Sequence, residues 1–228
     1  MGLVASDYEI VPSVFTEAEV AEIIEKGKSH PLNRAKVLKN GLAIPDFLQR
    51  RAKQAWMELR YDTRWIFNKV SDAVRSTELY GTDITSMEPL HFIEYGFAGG
   101  YGTHVDDSAP RVRNRKLTAI VKLTDSDAYW GNGLMLHPSE KVHIRIEDAM
   151  HKGDVLVFRS SLPHSVGPVW RGTRHAIAAW FRSHYAEEVL KRDTLLYQLP
   201  KPNLARYDKH IANSIQRVLA SDEKIVDY

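Results

Sequence analysis

Three observations predict that this sequence folds as a mainly β protein with helices at both ends. Between residues 84 and 183, about eight short β-rich runs are separated by Gly, Pro, Asn and Asp, which favours an antiparallel sandwich or barrel. Helical periodicity dominates the first 83 residues, and it returns after residue 183. We expect one domain over residues 1–228, made of a mainly helical support region (1–83), a β core (84–183) and a C-terminal helical extension (184–228).

The N-terminal region is predicted to contain one short strand and three helices. The strand covers residues 8–11, and the first helix follows Thr16, which forms a capping box with Glu19. A second helix is predicted to start at Pro45, and a third over residues 63–77, where apolar side chains recur on one face.

The β core and the C-terminal extension follow from shorter patterns. The predicted strands cover residues 86–95, 102–106, 116–124, 133–137, 141–146, 154–159, 163–169 and 173–183. Residues 186–191 and 207–220 are predicted to be helical, and the apolar stripe of the second of these helices either covers a sheet edge or forms a homodimer contact. The segment over residues 32–42 fits a strand or a loop.

Composition excludes several classes of site. The chain has no cysteine, so disulfides, thiolate zinc sites, iron–sulfur clusters and a cysteine nucleophile are ruled out. A net charge of +2 gives no electrostatic reason to expect a nucleic-acid partner. There is neither a secretory signal pattern nor a window of about 20 apolar residues, so we expect a cytoplasmic protein that does not enter a membrane.

Two candidate metal ligands stand one residue apart in the glycine-rich run over residues 95–107. In an extended strand, residues i and i+2 point to the same face, so His104 and Asp106 present an imidazole and a carboxylate to the same small volume. Because the chain lacks cysteine, any metal is expected on His, Asp or Glu side chains.

A third ligand is expected late in the β core, and His164 meets this requirement. It opens a predicted strand after the turn over residues 160–163. Two histidines and one carboxylate on one face of a metal form the facial triad of non-haem iron(II) oxygenases. Three protein ligands leave positions open on the metal, as chelation of a 2-oxo acid and binding of dioxygen require.

A 2-oxo diacid also needs a cation for its far carboxylate, and an arginine fork binds carboxylates with two hydrogen bonds. Arg174 lies on the strand that follows the hairpin loop over residues 170–172. It shares a predicted strand face with Ala176 and Ala178, whose small side chains would leave room for a co-substrate.

Together these motifs resemble the prolyl-4-hydroxylase-like branch of the iron(II)- and 2-oxoglutarate-dependent dioxygenases. The resemblance rests on His104-Val105-Asp106, on His164-x-Val166-x-Pro168-Val169-x-x-Gly172-x-Arg174, and on Trp180-Phe181. It covers about residues 86–183 and implies a double-stranded β-helix (jelly-roll) core with helices packed on one side. One departure is Gly131-Asn132-Gly133, where members of the family commonly have a Gly-Gly pair.

The resemblance also implies ligands and co-substrates. His104, Asp106 and His164 would hold iron(II), with 2-oxoglutarate and O2 as co-substrates and ascorbate in a supporting role. Arg174 would pair with the far carboxylate of 2-oxoglutarate, and Tyr95 matches a tyrosine that the family often places at the co-substrate.

Lys122 stands where many relatives have a tyrosine that helps to bind the far carboxylate. A lysine buried in a strand otherwise lacks a partner, so we expect Lys122 to bind the same carboxylate.

Substrate contacts are expected from Tyr101 and from the loop after the metal-binding strand, which carries Arg111, Arg113 and Arg115. Each assignment has an alternative: Tyr95 and Tyr101 also fit a core role, and the loop also fits a solvated basic surface.

The expected activity is hydroxylation of an unactivated C–H bond of an amino acid, free or within a peptide or small natural product, with release of succinate and carbon dioxide. The alternatives are a prolyl-type protein hydroxylase and a non-catalytic jelly roll that senses 2-oxoglutarate or binds metal. Some halogenating relatives replace the metal-binding carboxylate with a small residue, so the presence of Asp106 favours hydroxylation. The nucleic-acid demethylase branch usually has a different arginine spacing, which disfavours that activity.

Overall fold

Most of the β core predicted from the sequence is present in the computed structural model, which describes residues 7–35, 37–39, 42–44, 46, 49–81, 83–109, 112–183 and 197–198. The strands, β1 to β17 in chain order, are Tyr8–Val11, Asn33–Arg34, Val37–Lys39, Leu42–Ile44, Arg50–Arg51, Lys53–Met57, Ile84–Met87, Leu90–Tyr95, Gly99–His104, Arg115–Lys122, Tyr129–Gly131, Leu134–Ser139, Val142–Ile144, Val155–Arg159, His164–Gly172, Arg174–Ser183 and Tyr197–Gln198. The helices are α1 (Glu17–Ser29), α2 (Arg64–Arg75) and a 3₁₀ helix, Ile146–Ala149.

The two α-helices form where their sequences predict them. The amide of Glu19 donates to Thr16 Oγ1 over 3.3 Å and the amide of Thr16 donates to Glu19 Oε2 over 2.8 Å, which confirms the capping box of α1. In α2 the apolar face, including Ile66 and Val70, is fully buried. This helix packs on β10 and β14, so the helices cover one face of a sheet.

The larger sheet supplies one wall of the site. Its strand order is β1-β14-β10-β16-β8-β6-β2, all neighbours are antiparallel, and β7 pairs with both β16 and β17. Side chains alternate across this sheet, so Phe92 lies on the helical side while Ile93 lies on the opposite, inner face.

The smaller sheet has the order β13-β12-β15-β9-β5, with β11 also paired to β15. One hydrophobic cluster joins the two sheets. It combines Ile120 and Phe158 of the larger sheet with Leu136 and Val166 of the smaller one. Two antiparallel sheets packed across such a core are consistent with the predicted jelly roll.

The prediction of a second helix from Pro45 is wrong. The chain forms β5 and β6 there, and β6 pairs antiparallel with β8. Ala55 and Met57 are buried while Trp56 between them is 44% exposed, which is the two-residue alternation of a strand. Pairing with β8, far along the sequence, overrides the local apolar spacing.

Some strand boundaries also differ from the prediction. The strand predicted over residues 86–95 is divided into β7 and β8 at Glu88 and Pro89. The prediction also did not include β11. The segment over residues 32–42 contains β2 and part of a separate two-stranded sheet, β3–β4.

The described residues up to Gln198 form one compact unit, and residues 184–196 and 199–228 lie outside the described residues. The predicted helices over residues 186–191 and 207–220 are therefore not described, and the homodimer contact and domain boundaries stay predictions. Within the described ranges, no helix has both the length and the hydropathy needed to cross a membrane.

Candidate functional site: a His-Asp-His cluster

The three predicted metal ligands come together at one end of the space between the sheets. His104 ends β9, Asp106 lies in the turn that follows it, and His164 opens β15. One ligand atom from each residue lies within 4.8 Å of the others. β9 and β15 are neighbours, with His104 directly opposite His164, so sheet pairing holds the two imidazoles together.

Backbone carbonyls fix the orientation of both imidazoles. His104 Nδ1 lies 2.9 Å from Gly102 O, and His164 Nδ1 lies 2.9 Å from Leu162 O. A protonated Nδ1 that donates to a carbonyl leaves Nε2 as the acceptor nitrogen. The two Nε2 atoms face the Asp106 carboxylate at 3.7 Å and 3.5 Å, as ligands of a shared metal would.

The carboxylate of Asp106 is held from the neighbouring strands. Thr118 Oγ1 donates to Asp106 Oδ2 over 2.8 Å and also lies 3.0 Å from Ser160 Oγ. The amide of Asp106 donates to Ser160 O over 2.8 Å. Asp106 and Thr118 are both buried, so this arrangement fixes the carboxylate before any ligand binds.

The pKa values of His104 and Asp106 are shifted towards the protonation states that bind a cation. Burial, followed by the neighbouring His164, lowers the pKa of His104 to about 3, so its imidazole is neutral at physiological pH. Burial alone would raise the pKa of Asp106, but His164, His104 and Arg115 lower it below its ordinary value. Neutral imidazoles and an ionised carboxylate are the forms that bind metals.

Arg174 is the first residue of β16 and is 2% exposed, on the inner face of the larger sheet. It binds an acid that the sequence analysis missed. Arg174 Nε lies 3.2 Å and 3.1 Å from the two carboxylate oxygens of Glu147, and Nη2 lies 2.9 Å from Oε2. Burial alone would raise the pKa of Glu147, but Arg174 and then other donors lower it to about 2.

The reason given for assigning Lys122 to the far carboxylate is wrong, because its ammonium already has partners. Lys122 Nζ donates to Ser126 Oγ over 2.6 Å, to Glu147 O over 2.9 Å and to Met150 O over 2.8 Å. These three acceptors match the three N–H groups of an ammonium. Lys122 thus fastens the 3₁₀ helix to β10.

The two predicted tyrosines lie on opposite strands of the site. Tyr95 is buried in the core between the sheets, with the Arg174 guanidinium 5.7 Å from its ring centre. Tyr101 stacks on the imidazole of His104 at 3.6 Å between ring centres, and Arg50 lies over its other face at 4.6 Å. Tyr101 is therefore adjacent to the metal cluster.

The basic loop is only partly described. Arg111 lies outside the described residues, and Arg113 is exposed. Arg115 begins β10 and donates from Nε and Nη2 to the Glu88 carboxylate over 2.7 Å and 2.6 Å, and from Nη1 to Asp106 O over 3.3 Å. It also lies 3.9 Å from the ring centre of Trp180. Arg115 therefore supports the metal cluster from its rim.

Thr118→Val is expected to lower divalent metal affinity about 10- to 100-fold, the usual effect of removing an outer-shell partner. The substitution keeps the shape of the side chain and removes the hydroxyl that orients Asp106. Anaerobic calorimetry with Fe²⁺ or Mn²⁺ measures the affinity. Thr85→Val, in the partly buried strand β7, is the matched control, and equal affinities for both variants would contradict the prediction.

The sequence matches a known family over much of the β core. Residues 90–182 match the family described as the 2OG-Fe(II) oxygenase superfamily. A PKHD-type hydroxylase of Maricaulis maris is 36% identical over 84 residues, which cover 36% of each chain. One from Burkholderia thailandensis is 29% identical over 144 residues, covering 60% of this chain and 61% of the relative. The chain thus spans less than two thirds of these curated relatives.

Solved structures show a similar fold. A prolyl-4-hydroxylase of Pseudomonas putida has a TM-score of 0.60 and 19% identity, covering 77% of this chain and 92% of that one. A prolyl hydroxylase of Trichoplax adhaerens, in complex with a hypoxia inducible factor peptide, has a TM-score of 0.62 and 20% identity, covering 78% and 84%. Residues 90–182 are thus similar in sequence to the 2OG-Fe(II) oxygenase superfamily, parts of the chain are similar to PKHD-type hydroxylases, and the fold is similar to that of prolyl-4-hydroxylases.

Proposed function

We propose that the protein is a 2-oxoglutarate-dependent hydroxylase acting on an amino acid, free or within a peptide or small natural product. The observation that carries the proposal is the cluster of His104, Asp106 and His164 on a scaffold whose inner face also presents Arg174. The donor set fits iron(II), because one nitrogen of each imidazole and one carboxylate oxygen converge within 4.8 Å of one another. Bound iron would supply the activation of dioxygen.

The residues of the chain then have distinct roles. His104, Asp106 and His164 hold the metal on one face, and Thr118 keeps the carboxylate in place. Arg174 binds the far carboxylate of 2-oxoglutarate. Ala176 and Ala178, on the same face of β16, have small side chains that would leave room for the co-substrate.

A basic cavity supports an anionic substrate. It has a volume of about 520 Å³, and its walls include Arg34, Arg50, Arg51 and Lys53 with a single acid, Glu94. Arg50 also covers Tyr101, which stacks on His104, so this cavity adjoins the metal cluster. A substrate carboxylate bound there would be separated from His104 by the Tyr101 ring.

A second candidate is hydroxylation of a prolyl residue in a protein. Phe97, on the wall of the same cavity, is 68% exposed and contacts Trp170, which is 46% exposed, with 6.2 Å between ring centres. Exposed aromatic side chains at the mouth of a cavity provide the apolar contact that a proline-containing segment needs. Binding of a hypoxia inducible factor peptide by the Trichoplax protein also supports this candidate.

The test measures succinate formation with iron(II), ascorbate, 2-oxoglutarate and three substrate sets: free amino acids, their carboxamides, and proline-containing peptides. We expect succinate above an Asp106→Ala control, with free acids preferred to carboxamides. Arg51→Gln is expected to weaken that preference, and Arg64→Gln, an exposed residue on α2, is its matched control.

The other outcomes separate the alternatives. Turnover with the peptides alone would favour the prolyl candidate. Tight calorimetric binding of 2-oxoglutarate without oxygen consumption, whatever the substrate, would identify a non-catalytic 2-oxoglutarate-binding protein. No succinate above the Asp106→Ala control and no 2-oxoglutarate binding would reject the proposed function.

A further inference from the structure

His137 and His143 form a pair of imidazoles on the outer face of the smaller sheet. They lie on the neighbouring strands β12 and β13, and their Nδ1 atoms are 2.7 Å apart, with 4.9 Å between ring centres. The adjacent pair of these strands, Leu136 and Ile144, packs against the core, so side-chain alternation places both imidazoles on the opposite face. The sequence analysis assigned no role to either histidine.

The contact between the two Nδ1 atoms requires an unprotonated nitrogen. One Nδ1 donates its proton and the other accepts it, so the two rings are not both positively charged. An unprotonated imidazole nitrogen is also the form that binds a transition metal. When both rings are neutral, the donor ring can carry its proton on Nε2 instead, and both Nδ1 atoms then present lone pairs to one metal ion.

The imidazole of His137 is held in place by the next strand of the sheet, β15. Its Nε2 lies 2.8 Å from Ser165 Oγ, and the amide of His137 donates to Pro163 O over 2.8 Å. When the serine hydroxyl accepts from Nε2–H, Nδ1 of His137 is the acceptor nitrogen, which is the usual arrangement of a metal-binding histidine. His143 is exposed, so its ring can adjust to a ligand.

The spacing of the pair is close to that of two ligands on one metal. Nitrogens about 2.0–2.1 Å from a metal lie about 3.3 Å apart in tetrahedral geometry and about 2.9 Å apart in a square plane. The two Nδ1 atoms therefore need to separate by roughly 0.2–0.6 Å, which a small rotation of His143 provides. Within the described residues, no third His, Asp or Glu joins the pair, so water would complete the coordination.

We propose that His137 and His143 form a second metal site, which binds a divalent transition-metal ion such as Cu²⁺ or Zn²⁺. Imidazole ligands without a carboxylate favour these ions over Mg²⁺ and Ca²⁺, which prefer oxygen. The site is separate from the His-Asp-His cluster, because Ser165 lies on the outer face of β15 whereas His164 packs on Phe158 of the core. The proposal does not depend on the proposed function.

The test is Zn²⁺ calorimetry on the metal-free full chain. The variant Asp106→Ala removes a ligand of the His-Asp-His cluster, so the Zn²⁺ that it still binds is expected at the His137 and His143 pair. Adding His143→Ala to this variant is expected to raise the Zn²⁺ Kd about 100-fold, because the remaining imidazole no longer has a second ligand at high effective concentration. His151→Ala, which removes an imidazole that is 93% exposed, is the matched control.

Electron paramagnetic resonance of bound Cu²⁺ identifies the ligand atoms independently. In Asp106→Ala, Cu²⁺ is expected to show coupling to the nitrogens of two imidazoles, and this signal is expected to disappear when His143→Ala is added. Thermal melting of the metal-free proteins checks folding. Because His143 is exposed, His143→Ala is expected to melt at the Tm of the wild type without metal, and Zn²⁺ is expected to raise the Tm less in the variant.

Other outcomes also decide the question. Unchanged Zn²⁺ affinity after His143→Ala, an equal loss in His151→Ala, or Cu²⁺ coupling to a single imidazole would overturn the second site while leaving the proposed function intact. The converse result is also distinguishable. Zn²⁺ binding that depends on His143 but is the same in the wild type and Asp106→Ala would support the second site and contradict metal binding by the His-Asp-His cluster.

Discussion

Asp106→Ala is expected to lower divalent metal affinity by more than about 100-fold and to reduce 2-oxoglutarate turnover to background. Loss of an outer-shell partner alone costs about 10- to 100-fold, and Asp106 is proposed to bind the metal directly. It is also the one anionic member of this cluster, because the other two residues are histidines. The variant therefore loses both a donor atom and the charge that balances the cation.

Anaerobic calorimetry with Fe²⁺ and succinate measurements check this result separately. Asp106→Asn keeps the size of the side chain and an acceptor for Thr118, so it isolates the contribution of the charge. Asp107→Ala, at the next position of the same turn, is the matched control and is expected to bind metal like the wild type. Turnover by Asp106→Ala close to the wild-type rate would show that the cluster is not the catalytic centre.

The metal cluster could be predicted because its residues occur in short sequence motifs. The i and i+2 spacing of His104 and Asp106 limits their separation whatever the rest of the chain does. Their meeting with His164 depends on the pairing of β9 with β15, which the residue pattern alone did not establish. The resemblance to a known family supplied this long-range information.

The role of Glu147 could not be predicted, because no short motif connects it to its partners. Glu147 lies between Ile146 and Asp148, just after a predicted strand, and it is far from Arg174 and Lys122 in sequence. Lys122 is unusual because it is a lysine in an otherwise apolar strand, but the sequence does not show which residues bind it. Only the position of the 3₁₀ helix against β10 brings Glu147 and Lys122 together.

The error in the second helix has a similar origin. Apolar residues near Trp56 fit a helical spacing, and nothing local distinguishes that spacing from a half-buried strand. Trp56 pairs with His91 on β8, and their rings stack at 4.5 Å between centres. This pairing stabilises a strand in place of a helix. Long-range pairing is the information that a local pattern lacks.

Glu147→Gln is expected to lower the free energy of unfolding by about 3–5 kcal/mol, the usual cost of breaking a buried ion pair from one side. The amide keeps the volume but leaves Arg174 and Lys122 without their shared anion. Urea unfolding measures the loss. Asp148→Asn is the matched control, because Asp148 forms an exposed pair with Arg145 whose removal is expected to cost at most about 1 kcal/mol.

A double-mutant cycle tests whether Lys122 and Glu147 act together. Lys122→Met removes one buried cation but leaves Glu147 O and Met150 O without their donor, so it is also expected to be destabilising. Because the removal of Lys122 costs less once its anion Glu147 is gone, the double variant is expected to lose less than the sum of the two single losses. Strictly additive losses would contradict a coupled pair.

The stability difference between the wild type and Glu147→Gln is expected to depend on pH. The pKa of Glu147 falls from an ordinary value of 4.5 to about 2 in the folded protein, so its stabilisation is present above about pH 4.5 and is lost as the pH falls towards 2. The shift corresponds to roughly 3 kcal/mol. The difference in free energy of unfolding between wild type and variant should therefore shrink from about pH 5 to about pH 3. A constant difference over that range would mean that the Glu147 carboxylate charge does not stabilise the fold.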